Sequence, residues 1–297
     1  MQREGTAAAP AAGTVVSALA TGVGSAFALD RVVRARVTLD DSGSVDGEVG
    51  AVPTAGSATD DVEVDASLVE RCVERALDRF GDDADADRGA TVRTESEVPV
   101  AVGLKSSSAA ANAAVMATCD ALDVDPEPLL ACRVGVAAAR DVGVTVTGAF
   151  DDASASMLGG VTVADNAEDE LLATDTVDWT VLVRVPAERT YTADVDVDRC
   201  RRVAPLADHA ADLALDGRYA LGMTVNGFAF APALGASTAP LLAALPDADG
   251  VSLSGTGPAV TAVGDPVTIE RVRPAVAALG GDVWTTTTRE TGVEVGV

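Results

Sequence analysis

PVAVGLKSSSAAA, Pro99–Ala111, holds a proline stop, a glycine turn, three hydroxyls and the start of a small-residue helix. Pro99 halts the preceding segment, and Gly103 permits the tight backbone that a turn into a helix requires. Ala109 to Leu122 continues as a helix of small residues. A helix N-terminus exposes N–H groups that have no partner in the helix, together with the positive end of the helix dipole. A glycine-bearing loop ahead of it lets phosphate approach closely. Serines at such a place cap the helix, bond phosphate oxygens or ligate Mg²⁺. Lys105 is the one lysine in 297 residues. Its place beside three serines favours an anion contact over an ordinary capped helix. This is not a Walker loop, since GxxxxGK[ST] is absent.

Outward from this loop the chain alternates apolar segments with glycine and acidic turns. Gly13–Asp30 reads as strand-turn-strand or a ligand-lining loop, after a small, flexible Ala7–Ala12. Arg31–Leu39 alternates like a half-buried strand, Asp40–Gly50 reads as turn, and Val62–Val64 as a short strand. Ser67–Phe80 has helical apolar spacing, with Ser67 as N-cap and Gly81 as stop. Ala90–Val98 reads as a strand, Asp125–Ala139 as a helix, and Thr147–Gly160 as a Gly- and Asp-bearing segment leading into a strand at Gly160–Ala164. The acidic stretch Asp165–Asp178 marks a possible boundary, which gives domains at 1–165 and 166–297. Beyond it the pattern predicts strands at Trp179–Val185, Val251–Leu253, Thr261–Val263 and Asp282–Thr288. Helices are expected within Val197–Leu215, Tyr219–Phe230, Pro240–Leu245 and Ile269–Leu279. The mixture is α+β.

Formal net charge is −25, with 46 acidic residues spread through the chain against 21 Lys and Arg. Such a surface repels nucleic acid and anionic membranes. The dispersal of the acids and the near absence of lysine suit solubility in concentrated salt, where self-repulsion is screened, and point to a haloarchaeal source. Cys72, Cys119, Cys132 and Cys200 form no CxxC pair and His209 is the single histidine. A Cys/His zinc site is therefore disfavoured, and the cysteines read as core thiols. There is no signal-peptide pattern and no long apolar run, so a soluble, cytoplasmic protein without a membrane span is expected.

PVAVGLKSSSAA resembles the second motif of the GHMP kinases, PxxxGLGSSAA, through Pro99, Gly103, Leu104, Ser106, Ser107 and Ala109. Lys105 stands in place of a glycine and Ser108 in place of an alanine. GLKSSSAA is the form associated with archaeal shikimate kinases. SLSGTGPAV, Ser252–Val260, resembles the third GHMP motif. GTVVSALATGVGSAFALD and TGAFDDASASMLGG resemble the N-terminal and central signatures of the archaeal shikimate kinases. These pieces run in the family's order from Gly13 to Val260.

The resemblance implies a two-domain α+β GHMP kinase fold, with a ribosomal protein S5 domain 2-like N-terminal part and a ferredoxin-like C-terminal part. ATP and shikimate would meet in the cleft between them, giving ADP and shikimate 3-phosphate on the way to chorismate. It implies that Asp151 is the base, with Asp152 as the alternative, and that Lys105 neutralises phosphate charge. Replacing Lys105 by alanine would then weaken phosphate handling rather than folding. ATP phosphates would lie along Pro99, Val100, Ala101, Val102, Gly103, Leu104, Lys105, Ser106, Ser107, Ser108 and Ala109. Gly255, Thr256 and Gly257 would face them. Ser107 would hold Mg²⁺, with Asp141 as the nearest acid for a second ligand. Thr14, Ser25 and Asp30 are candidates for the shikimate hydroxyls, and Arg31 or Arg34 for its carboxylate. The rival readings are another GHMP kinase, acting on homoserine or mevalonate, a non-catalytic nucleotide- or metabolite-binding relative, and a structural α/β protein without a small-molecule site. The first is disfavoured by the Lys105 loop and the TGAFDD segment, the second by intact Asp151, Lys105 and Ser107, and the third by the glycine-rich motifs.

Overall fold

A computed structural model describes residues 3–50, 65–82, 88–145, 148–186 and 196–297. The expected strand at Val62–Val64 lies outside them. Two sheets organise the chain. In the first, β1 (Arg3–Val16) and β2 (Val23–Asp40) are long antiparallel neighbours. β2 serves two partners in succession: its first residues pair with β5 (Val161–Asp165), and its later ones with β4 (Gly89–Ser96). β3 (Val45–Gly50) runs parallel to β4 at the edge. Asp40–Gly50, expected as turn, is thus turn only at its start. β6 (Glu170–Asp175) pairs with β5, and β11 (Glu294–Val295) with β1. The first sheet therefore extends past residue 165 and takes its last strand from the chain's far end.

Four helices cover one face of this sheet: α1 (Ser67–Phe80), α2 (Ser106–Leu122), α3 (Pro128–Asp141) and α4 (Phe150–Leu158). α1 follows the expected span, but its N-cap is Ala66 rather than Ser67. α4 was not foreseen as a helix; Gly159 ends it and its small residues gave no apolar stripe. The sheet–helix gap is narrow. A Cβ at Gly5 of β1 would stand 2.2 Å from the carbonyl oxygen of Ala117 in α2. Alanine-rich surfaces allow this approach, and the core reaches close packing with few aromatics. Ala7–Ala12 is accordingly no flexible stretch but the buried middle of β1. Its alanines have weak strand propensity, and contacts on both faces override it.

The second sheet, in the order β10-β7-β9-β8, is antiparallel throughout. Its strands are β7 (Thr180–Val185), β8 (Gly250–Leu253), β9 (Val260–Gly264) and β10 (Asp282–Thr287). α5 (Val197–Arg201), α6 (Ala204–Leu215), α7 (Tyr219–Ala233), α8 (Ala239–Ala244) and α9 (Pro266–Ala277) pack around it. One apolar cluster joins the halves: Phe27, Leu29, Val102 and Leu104 meet Val181, Val183, Met223 and Val263. Phe27 is fully buried, with Trp179 edge-on at 5.6 Å. A buried Phe of this kind typically costs about 3–5 kcal/mol when cut to alanine. All four cysteines are free and buried, as expected of core thiols.

Candidate active site

Two helix N-termini converge on one cavity of about 550 Å³. The first belongs to α2. Its cap residue is Lys105, in left-handed geometry at φ 60°, and helix proper begins at Ser106. The three serines therefore form the first helical turn, earlier than the expected start at Ala109. Ala109 N–H bonds the Lys105 carbonyl at 3.1 Å, so the N–H groups of Ser106, Ser107 and Ser108 precede the helix's own ladder. The second terminus belongs to α4, capped by Ala149 at φ 55°, with Asp151 and Asp152 in its first turn. Carboxylates are favoured at this end of a helix.

The loop before α2 is strapped in place from three sides. Gly103, at φ +90°, lies so close to the 254–257 loop that a Cβ would meet the Ser254 carbonyl oxygen at 2.1 Å. Ser254 Oγ donates to the Gly103 carbonyl at 2.8 Å, and Ala259 N–H to that of Val102 at 3.0 Å. Ala12 N–H in β1 donates to the Leu104 carbonyl at 3.1 Å. Gly255 N–H donates to Thr14 Oγ1 at 2.8 Å. The second and third motifs, over 140 residues apart in sequence, thus form one wall.

Lys105 Nζ donates to Asp152 Oδ1 at 2.5 Å, and both side chains are largely buried. Among the described residues lining the cavity, Lys105 is the one cation. Asp151 is 4% exposed. Asn166 Nδ2 donates to its Oδ1 at 2.7 Å, and its own N–H donates to Asn166 Oδ1 at 2.8 Å. Burial and then the neighbouring Asp152 charge push the Asp151 carboxyl up to about 7, against the pull of Lys105 and Asn166. Gly24 in β2 backs this carboxylate: a Cβ there would stand 2.0 Å from Asp151 Oδ2.

Of the residues singled out in the sequence, Thr14, Val100, Ala101, Gly103, Lys105, Ser106, Ser107, Ser108, Asp151, Gly255, Thr256 and Gly257 line the cavity. Val102, Leu104 and Ala109 are core residues beneath it, and Pro99 precedes it. Five of the expected residues are not brought to the site. Asp141 ends α3 and is clasped by Arg71 and Arg75 of α1 at 2.6 and 2.7 Å, so its carboxylate is committed elsewhere. Ser25 is buried within β2 off the cavity lining. Asp30 is exposed farther along β2, with Arg289 at 3.7 Å. Arg31 lies over the Trp284 ring, and Arg34 pairs with Glu97. Asn166 and Gly24 were not foreseen: Asn166 belongs to no motif, and Gly24, though within the Gly13–Asp30 signature, carries no side chain to mark it. The cavity also takes in Leu68, Ala111, Val136, Ala139 and Val144, an apolar flank beside the hydroxyl- and charge-bearing part.

A family model described as GHMP kinases N terminal domain matches residues 67–160. A shikimate kinase of Halobacterium salinarum is 56% identical over 292 residues, 97% of this chain and 98% of the relative. One of Methanothrix thermoacetophila is 47% identical over 280 residues, 94% of this chain and 92% of the relative. Among solved structures, homoserine kinase from Cytophaga hutchinsonii aligns with a TM-score of 0.74 at 18% identity, covering 99% of this chain and 98% of that one. Methanococcus jannaschii mevalonate kinase aligns with a TM-score of 0.71 at 13% identity, covering 98% of each. These two likenesses show the GHMP kinase fold. The near full-length identity to the archaeal relatives goes further, and with the loop around Lys105 it places this chain in the shikimate kinase family.

Proposed function

We propose that the protein transfers the γ-phosphoryl group of ATP to the 3-hydroxyl of shikimate, with Asp151 as the base. The observation that carries this reading is the convergence of the α2 and α4 N-termini on one cavity, with Lys105 and Asp151 both on its wall. Loose phosphoryl-transfer transition states need little covalent help from protein; they need alignment and charge neutralisation. The free N–H groups of the α2 first turn and the Ser106 and Ser108 hydroxyls receive phosphate oxygens. Lys105 offsets the charge on the β- and γ-phosphates, and the loop at Gly255, Thr256 and Gly257 closes the opposite side. The shikimate hydroxyl oxygen attacks the γ-phosphorus, the bond from that phosphorus to the β-bridging oxygen breaks, and the hydroxyl proton passes to Asp151. A carboxyl held near 7 is suited to take and release that proton.

Mg²⁺ fits the oxygen-only donor set on this wall. Ser107 is exposed in the first turn of α2, facing the cavity, and would contribute its hydroxyl. Among the described residues no group of three or more His, Cys, Asp and Glu side chains is placed to hold a metal ion. When bound, Mg²⁺ supplies charge neutralisation across the β- and γ-phosphates. Shikimate and ATP are the proposed small-molecule partners; the net charge of −25 supports the absence of a nucleic-acid or anionic-membrane partner. None of the helices among the described residues is long and apolar enough to cross a membrane. NMR of the product tests the position of transfer. Phosphorus coupling to the proton at carbon 3 is expected, and phosphate on another hydroxyl contradicts the reading.

A further inference from the structure

The amide of Asn166 spends both its polar ends on one residue. Nδ2 donates to Asp151 Oδ1 at 2.7 Å, while Oδ1 accepts the Asp151 N–H at 2.8 Å. Asn166 is 2% exposed, in the turn between β5 and β6. A two-point contact to side chain and backbone fixes the carboxylate's rotation as well as its position. Its other oxygen, Oδ2, lies over Gly24, where a Cβ would stand at 2.0 Å. The carboxylate is thus gripped on one edge by an amide and on the other by bare strand backbone. Its main chain is held too: Ser154 Oγ and Thr162 Oγ1 donate to the Asp151 carbonyl at 3.1 and 3.2 Å.

Asn166 is itself tied down. Its N–H donates to the Gly22 carbonyl at 3.0 Å. Arg140 Nη2 donates to its carbonyl at 3.1 Å, and the same guanidinium makes two contacts of 2.7 Å to the Asp169 carboxylate. That guanidinium also abuts Gly148, where a Cβ would meet Nη2 at 2.2 Å. The turn after β5 is therefore anchored to α3 and to the segment that enters α4.

We infer that Asn166 is a positioning residue for phosphoryl transfer, holding the Asp151 carboxylate in one orientation towards the acceptor hydroxyl. The inference rests on Asp151 being the base. Hydrogen-bond donation to a carboxylate favours its charged form, so Asn166 also helps Asp151 to be ionised when the acceptor arrives. The charged groups facing Asp151 are Asp152 beside it on α4 and Lys105 from α2. β2 presents Gly24 and β5 presents Thr162, neither of them titratable. Arg140 and Asp169 stand behind Asn166, paired with one another.

The test is steady-state kinetics of the full chain with Asn166→Ala and Asn166→Asp, over a pH series at constant high salt, alongside Asp151→Asn. Asn166→Asp keeps the shape and the acceptor for the Asp151 N–H, loses the donor and sets a second carboxyl beside Asp151. It therefore serves for kcat if the alanine variant does not fold, while the limb is read from Asn166→Ala. The expected result is a kcat lowered between roughly tenfold and a hundredfold, with KM for ATP unchanged and the acid limb of kcat moved to higher pH. A purely structural role would lower the melting temperature and leave that limb in place. Folded Asn166 variants with parental kcat and an unmoved limb, beside an inactive Asp151→Asn, overturn the inference. Turnover in Asp151→Asn overturns the base assignment beneath it instead.

Discussion

Lys105 Nζ stands 2.5 Å from Asp152 Oδ1, and this single contact ties the N-terminus of α2 to that of α4. The chain's one lysine therefore has two tasks. It presents positive charge to the cavity proposed to hold the ATP phosphates, and it neutralises a carboxylate that is only 14% exposed. Removing one member of a buried pair leaves the other charge uncompensated.

Lys105→Ala is thus expected to weaken both phosphate handling and folding, where the sequence suggested the first alone. The loss of stability should be about 3 kcal/mol, read by denaturant titration at fixed high salt. kcat/KM for ATP should fall on the order of a hundredfold. Adding Asp152→Asn should restore much of the stability and none of the activity. An unchanged unfolding midpoint in Lys105→Ala would show that the pair contributes nothing to the fold.

Asp151 makes the opposite trade. Its carboxyl is pushed up to about 7, chiefly by burial, from an ordinary value of 3.8. Between those two values the unfolded chain has released a proton that the folded chain still holds, so stability falls as pH rises through this window. Above about 7 the folded state carries the full penalty of a buried charge. Asp151→Asn should then melt at the same or a higher temperature than the parent at pH above that value, while losing between roughly a hundredfold and ten-thousandfold in kcat. In the parent, kcat should decline as pH drops below about 7. A melting temperature markedly below the parent's in alkaline buffer would contradict this account of the site's electrostatics.

Gly24→Ala probes the same carboxylate from the strand side. The added methyl would lie 2.0 Å from Asp151 Oδ2, so the side chain must turn away. We expect a folded enzyme with kcat lowered on the order of a hundredfold and little change in KM for ATP. Parental kcat would mean that the carboxylate need not occupy its present place.

Thr14→Val addresses the strap between the second and third motifs. It deletes the Oγ1 that accepts the Gly255 N–H at 2.8 Å. The expected cost is about 1 kcal/mol of stability and a several-fold rise in KM for ATP, because the 254–257 loop loses its tether to β1. An effect on KM for shikimate alone would return Thr14 to the acceptor-binding role expected from the sequence.

The wall proposed to hold phosphate was legible in the sequence because its signals are local. A glycine, a lone lysine and three serines occur within six consecutive residues, and the structure keeps them on one wall. What escaped depends on distances across the fold. Asp141 was chosen for nearness in sequence, yet α3 carries it to the arginines of α1. Asp30 shares a strand with Gly24, but six residues of strand span about 20 Å, so only the start of β2 reaches Asp151. Asn166 follows an acidic-turn pattern like many others in this chain, and nothing in its neighbours marks it as a partner of Asp151. The helical character of Phe150–Leu158 was hidden for a related reason: its small residues pack closely without tracing an apolar face.

Acceptor choice is the most direct test of the central claim. ADP release should be measured in high-salt buffer with ATP and Mg²⁺, offering shikimate, homoserine or mevalonate in turn. The account predicts release with shikimate and none with the other two. Release with homoserine or mevalonate in place of shikimate would overturn the substrate, and no release with any of them from demonstrably folded protein would contradict the kinase reading itself.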